Sequence, residues 1–171
     1  MLKNRSLLLA LIYALLFSAM VSFVFYGDHV KYITHVYFAG LLGLFPFVYL
    51  AILFAKKERP DGEIEGKEAA KEGFRFVLLA TFFLIIFQVV FFEISFREFK
   101  INYMQTVGPQ ALKEQMLSGQ MKITEADIPK IIATDVEGVT LFKEITSVVF
   151  KNFFFGGLSV IIATFLLKRK T

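Results

Sequence analysis

The sequence predicts an all-α, polytopic membrane protein: four transmembrane helices, with an extracytoplasmic helical hairpin between the third and the fourth. Three observations carry that expectation. The 171 residues are 56% hydrophobic with a mean hydropathy of +0.62, above the roughly 45–50% apolar content usual for a water-soluble domain. Four stretches of 16 to 24 residues contain no Asp, Glu, Lys or Arg, and the charges gather at the ends of those stretches, as they do when lipid is the solvent between them. Cysteine is absent, which excludes a disulfide framework, a thiolate metal site and a thiol nucleophile.

The first span is read at residues 6–27, twenty-two positions without a charge. At about 1.5 Å per residue a helix of that length crosses a hydrocarbon core of about 30 Å. Lys3 and Arg5 precede it as in a secretory signal, but Phe23, Val24, Phe25 and Tyr26 make a poor small-residue exit, so an uncleaved anchor is expected. The second span, 32–55, is interrupted by His35 near its start and Pro46 in its second half. Proline in a lipid-embedded helix predicts a kink, not a break.

A cytoplasmic connection, 56–73, opens on the breaker Arg59-Pro60-Asp61-Gly62 and passes into strong helix formers, where Glu68 and Lys71 are expected to pair at i, i+3. The third span is read at 74–96. Beyond it, residues 93–151 are too long for a structureless connection and should carry helices. Phe96, Phe99, Ile101 and Met104 continue the third helix to about Thr106. Gly108-Pro109 breaks it, Ala111, Leu112, Met116 and Leu117 mark a further helix that Gly119 stops, and Thr124-Glu125-Ala126-Asp127 has the form of a capping box before Ile128, Ile131 and Ile132. Gly138 ends that segment, giving a helical insertion over 97–144. The fourth span, 145–167, includes Lys151 and stops at Lys168, Arg169 and Lys170. No repeat or phosphate-cradling glycine motif is visible, so the chain reads as one membrane domain, 1–171.

Orientation follows from the basic residues. The amino terminus, the 56–75 connection and the carboxyl tail carry eleven Lys and Arg, against eight on the other side, seven of them spread through residues 93–151. Both termini are therefore expected in the cytoplasm. Basic residues placed at helix ends also argue against a nucleic-acid partner, which needs them on one face.

Small residues mark where helices approach in lipid. Ser6, Ala10, Ala14, Ser18 and Ser22 recur every four positions on the first span; the second offers Ala39 and Gly43, then Ala51 and Ala55; the fourth offers Gly156, Ser159 and Ala163. A strict spacing of four drifts about 40° per step on a 3.6-residue helix, so one neighbour follows such a row for only two or three positions. Polar candidates inside the spans are few. His35, Glu93 and Lys151 all fall near the outer interface by their distance along the helices and form a candidate polar cluster, with Gln88 the strongly polar side chain within span three. Interfacial anchoring is the simpler reading of the first three, and a helix–helix hydrogen bond that of the last. His29 and His35 lack the further ligands a metal or haem site needs, and no carboxylate pair or Ser-His-Asp set stands at a diagnostic spacing; no cofactor, metal or catalytic residue is expected.

The layout resembles a domain-of-unknown-function family of small bacterial inner-membrane proteins with four spans. The resemblance rests on the short first hairpin, on Ile64-Glu65-Gly66-Lys67-Glu68-Ala69-Ala70-Lys71-Glu72-Gly73-Phe74 leading into span three, and on Ala111-Leu112-Lys113-Glu114-Gln115-Met116-Leu117 followed by Ile123-Thr124-Glu125-Ala126-Asp127-Ile128. It implies the topology and a bacterial inner membrane, and brings no activity. The expected function is that of a non-catalytic accessory or structural subunit in a larger membrane complex, its partners the lipid bilayer and other membrane protein subunits. The alternative is a small homo-oligomeric transporter or channel using the polar residues near the outer interface.

Overall fold

The structure, a computed structural model, describes residues 2–26 and 33–168. Gly27, Asp28, His29, Lys31 and the expected start of span two at Tyr32, like Arg169 and Lys170 of the basic tail, lie outside the described residues. The described residues are helical throughout their regular structure: α1 (Leu2–Tyr26), α2 (Ile33–Lys57), α3 (Gly66–Phe91), one π-helical turn (Phe92–Phe96), α4 (Arg97–Thr106), α5 (Gly108–Leu117), a 3₁₀ turn (Glu125–Asp127), α6 (Ile128–Glu137) and α7 (Leu141–Leu167). Four helical stretches are long and apolar enough to cross a membrane: Arg5–Tyr26, His35–Lys57, Gly66–Ile94 and Leu141–Leu167. Only 28–39% of each is buried within the chain, so most of their apolar surface needs lipid, or another protein, to cover it.

The chain packs as two compact units, Met1–Phe87 with Ser147–Thr171, and Gln88–Thr146. The first unit is the helical bundle. α2 runs on through Pro46, whose missing N–H frees the carbonyl one turn back without ending the helix. The connection after α2 turns where the breaker predicts. Gly62 donates to the Arg59 carbonyl at 3.0 Å, adopts φ +64°, and the Glu63 N–H donates to Asp61 Oδ1 at 3.1 Å, an Asx-type turn. The expected Glu68–Lys71 pair is replaced: Glu68 reaches back to Arg59 at 2.6 Å. A tertiary partner with a longer, forked side chain outcompetes the local lysine.

Packing inside this unit follows small residues. On α1, Ser6, Ala10 and Ala14 are buried, after which the buried face passes to Val21 and Val24, while Ser18 and Ser22 are only half-buried. That is the drift a spacing of four imposes. On α2 Ala39 is exposed, and the close approach falls one residue later. A Cβ at Gly40 would stand 2.1 Å from the Phe17 ring, whereas at Gly43 it would meet Tyr13 at an ordinary 3.8 Å. α3 and α7 meet through two glycines. A Cβ at Gly73 would come within 2.9 Å of Val160 and 3.2 Å of Ile52, and one at Gly156 within 2.7 Å of Val77; Ser159 and Ala163 continue the buried face of α7.

The second unit begins inside the third helix. The π turn is a wide turn in an otherwise continuous rod, with the Arg97 N–H bonded to the carbonyl of Phe92, five residues back. It lets Phe91 and Phe96, also five apart, pack with ring centroids 5.5 Å apart. α5 starts at Gly108, where a Cβ would meet Ile132 of α6 at 2.7 Å. Gly119, at φ +72°, takes the left-handed conformation that ends the α5 region. Thr124 and Asp127 form the expected capping box, and α6 follows. Lys100 of α4 pairs with Glu144 at the start of α7.

Candidate functional site

Polar side chains of the first unit collect at one end, and the helix directions explain why. Arg5 at the beginning of α1 pairs with Glu58 just past α2 at 2.9 Å and stacks its guanidinium over Phe54 at 5.8 Å. Ser6 Oγ donates to Glu72 Oε2 of α3 at 3.5 Å, and Glu72 also lies 3.6 Å from Arg75. Lys56 at the end of α2 donates to the carbonyl of Leu167 at 3.1 Å, one of the last orphan carbonyls of α7. The start of α1, the end of α2, the start of α3 and the end of α7 therefore share one end of the bundle, so the four helices alternate in direction.

Between this end and the other, aromatic side chains of three helices pack against one another. Tyr13 of α1 lies edge-on to Phe47 of α2, centroids 5.4 Å apart, and to Phe76 of α3 at 6.0 Å; Phe47 and Phe76 stack at 6.2 Å. The Tyr13 hydroxyl donates to the Gly40 carbonyl at 3.0 Å. Two further buried hydroxyls, on α3 and α7, are satisfied within their own helices, while Thr164 Oγ1 is buried without a partner among the described residues. Thr81 Oγ1 donates to the Val77 carbonyl and Ser159 Oγ to the Phe155 carbonyl, each at 2.8 Å, a back-bond that leaves little capacity for a passing solute.

Of the polar residues singled out in the sequence, His35 and Lys151 belong to the first unit and Gln88 and Glu93 to the second. His35 opens α2 and is exposed; Lys151, on α7, is exposed and sets its Nζ 5.8 Å from the Tyr37 ring, two residues from His35. The lysine thus meets an aromatic face, a cation–π contact. Glu93 stands exposed on the π turn and belongs to the second unit. Gln88, the first residue of that unit, is buried with its Nε2 unpaired, and Asn152 in the first unit is buried with its Nδ2 unpaired. Asn152 was not singled out from the sequence. Its place beside Lys151 at the edge of a short apolar run disguises it as part of the interface.

Among the described residues no group of three His, Cys, Asp or Glu side chains is placed to hold a metal ion. The second unit has an open groove of about 510 Å³ against α6, lined by Gln105, Pro109, Ile128, Pro129, Ile132, Ala133, Val136 and Glu137. In that unit one titration is clearly displaced. The Asp127 carboxyl is held below the usual carboxylate range, chiefly by the hydrogen bond from the Thr124 hydroxyl and then by the Thr124 N–H. This is a structural role, that of the capping box.

Comparison with known proteins places the chain. No curated protein and no solved structure matches it. A family model described as a protein of unknown function, DUF4199, matches residues 6–169, nearly the whole chain, and the chain belongs to that family.

Proposed function

We propose that this member of a family of unknown function is a non-catalytic integral membrane protein of the bacterial inner membrane, with both termini cytoplasmic, and that it serves as an accessory or structural subunit of a larger membrane complex. The observation that supports the reading is the apolar core of the bundle. Leu44, Val48, Ile52, Phe76, Val77 and Val160 are all essentially inaccessible, and a route for a solute through one copy needs a polar lining there. Recognition then falls to the outside, where Leu15, Leu16, Phe150 and Phe154 are exposed and lipid or neighbouring helices must cover them. The excess of basic residues at the end shared by the 56–75 connection supports the orientation.

The test is purification of the native protein from its own membrane in a mild detergent. A foreign membrane subunit recovered at constant stoichiometry is the expected outcome. A homo-oligomer with no foreign subunit, whose reconstituted vesicles pass a solute or protons, overturns it. That second outcome is the transporter reading, and it draws on one observation, the unpaired amide nitrogens of Gln88 and Asn152. On that reading, flux is lost in Gln88→Leu and in Glu93→Gln.

A further inference from the structure

The outward face of α3 changes its chemistry once along its length. Lys67, Lys71, Phe74, Leu78 and Phe82 follow one another at intervals of four, three, four and four, which keeps them on one stripe of a helix, and all five are exposed. The first two are cations and the next three are large apolar side chains. Carboxylates stand close in sequence but are taken elsewhere. Glu68 is paired with Arg59, and Glu72 with Arg75 and Ser6. Among the described residues Lys67 and Lys71 form no ion pair.

A third cation reaches the same place from another helix. The stem of Lys168, just past α7, passes 3.8 Å from where a Cβ of Gly66 would be, beside Lys67. Its ammonium lies over the Phe165 ring at 4.6 Å, and among the described residues it too has no ion pair. The remaining acids of the connection, Asp61, Glu63 and Glu65, precede α3 on the loop, where Asp61 accepts the Glu63 N–H. The arginines of this end are thus neutralised by carboxylates, and the lysines are left with their charge.

We propose that this stripe seats an anionic phospholipid, with its phosphate among Lys67, Lys71 and Lys168 and an acyl chain along Phe74, Leu78 and Phe82. The dimensions agree. Eleven residues separate Lys71 from Phe82, roughly 16 Å of helix, about half of a 30 Å hydrocarbon core and so one leaflet. Charge selects the headgroup. A zwitterionic lipid brings its own cation to the phosphate, whereas an anionic one gains the attraction of each lysine, about fivefold in retention per lysine.

The test uses the full chain in detergent, with phosphatidylglycerol or phosphatidylcholine of identical acyl chains added, and retained lipid counted by native mass spectrometry. Phosphatidylglycerol is expected to be retained preferentially, and the preference is expected to fall by on the order of a hundredfold in K67Q/K71Q/K168Q while surviving in the charge-matched variant K113Q/K122Q/K130Q. Equal retention of the two lipids, or a preference unchanged in the first variant, overturns the proposal. So does complete displacement of the lipid by millimolar inorganic phosphate, which would mark a site for a soluble anion. If the triple variant does not fold, K67Q and K71Q are measured singly, each expected to weaken the preference about fivefold.

Discussion

Val77 of α3 occupies the space that a side chain at Gly156 of α7 would need: a Cβ there would lie 2.7 Å from Val77 Cγ1 and 2.8 Å from its Cγ2. The two helices touch through this absence, because in lipid it is close backbone approach and dispersion contact, and not expulsion of water, that holds helices together.

Gly156→Ala is therefore expected to lower stability by about 1–3 kcal/mol through overpacking, despite the better helix propensity of alanine. Its neighbour supplies the control. A Cβ at Gly157 meets nothing within 4 Å, so Gly157→Ala should be neutral or stabilising by up to about 1 kcal/mol. Unfolding in mixed detergent and dodecyl sulfate, followed by circular dichroism, separates the two variants; equal effects would refute the packing account.

Tyr13→Phe keeps the ring contacts with Phe47 and Phe76 and removes the hydroxyl that the Gly40 carbonyl accepts. A loss of about 1 kcal/mol is expected by the same titration. Gly40→Ala should cost more, since its Cβ would fall within the Phe17 ring contact and move the carbonyl as well.

The capping box gives the second unit a dependence on pH. Asp127 is held below the usual carboxylate range by the Thr124 hydroxyl and N–H, so its contribution is complete above that range and is lost as pH falls through the lowered value. Amide exchange over Ile128–Glu137, corrected for the intrinsic rate, should quicken on acidification in the native chain. In Asp127→Asn it should be faster at neutral pH and respond little to acid. An unchanged acid response in that variant would assign it to another group.

Lys100 and Glu144 form a pair whose side chains are 29% and 15% exposed, with Lys100 also over the Phe96 ring at 5.5 Å. Lys100→Glu or Glu144→Lys alone should destabilise the second unit by on the order of 1 kcal/mol. The double exchange should restore part of that loss, and the part not restored is the cation–π contact, which glutamate at 100 cannot make. Thermal unfolding of the two single variants and the exchange reads it.

Much of the fold was legible because lipid is a demanding solvent. Charge-free length marked four apolar spans, and among the described residues four helical stretches are long and apolar enough to cross a membrane. Turn and cap chemistry marked Gly62, Gly119 and Thr124-Asp127. Periodicity was weaker on which small residue faces inward. Ala39 and Gly40 are neighbours in composition and opposite in burial, because a spacing pattern fixes a helix face only to within about 100° per residue. Glu68 found Arg59 instead of Lys71, a partner that only the turn at 59–62 brings near. The polar candidates were read by depth along their helices, and depth says nothing of azimuth. Hence the contact of Lys151 with Tyr37 stayed hidden.

The wide turn at Phe92–Phe96 is one residue of slack in the rod that continues α3 into α4. Excising a single position there, such as Ile94, would let ordinary α-helix run straight through, with Phe91 and the former Phe96 now four apart instead of five and still on the same side. The ladder of bonds would close with no gap, and α4 would keep its phase. Excising a residue from α4 itself would instead spin all that follows by about 100°. Within the second unit, this turn is therefore the place where a residue can be lost without turning the faces of α4 relative to Phe91.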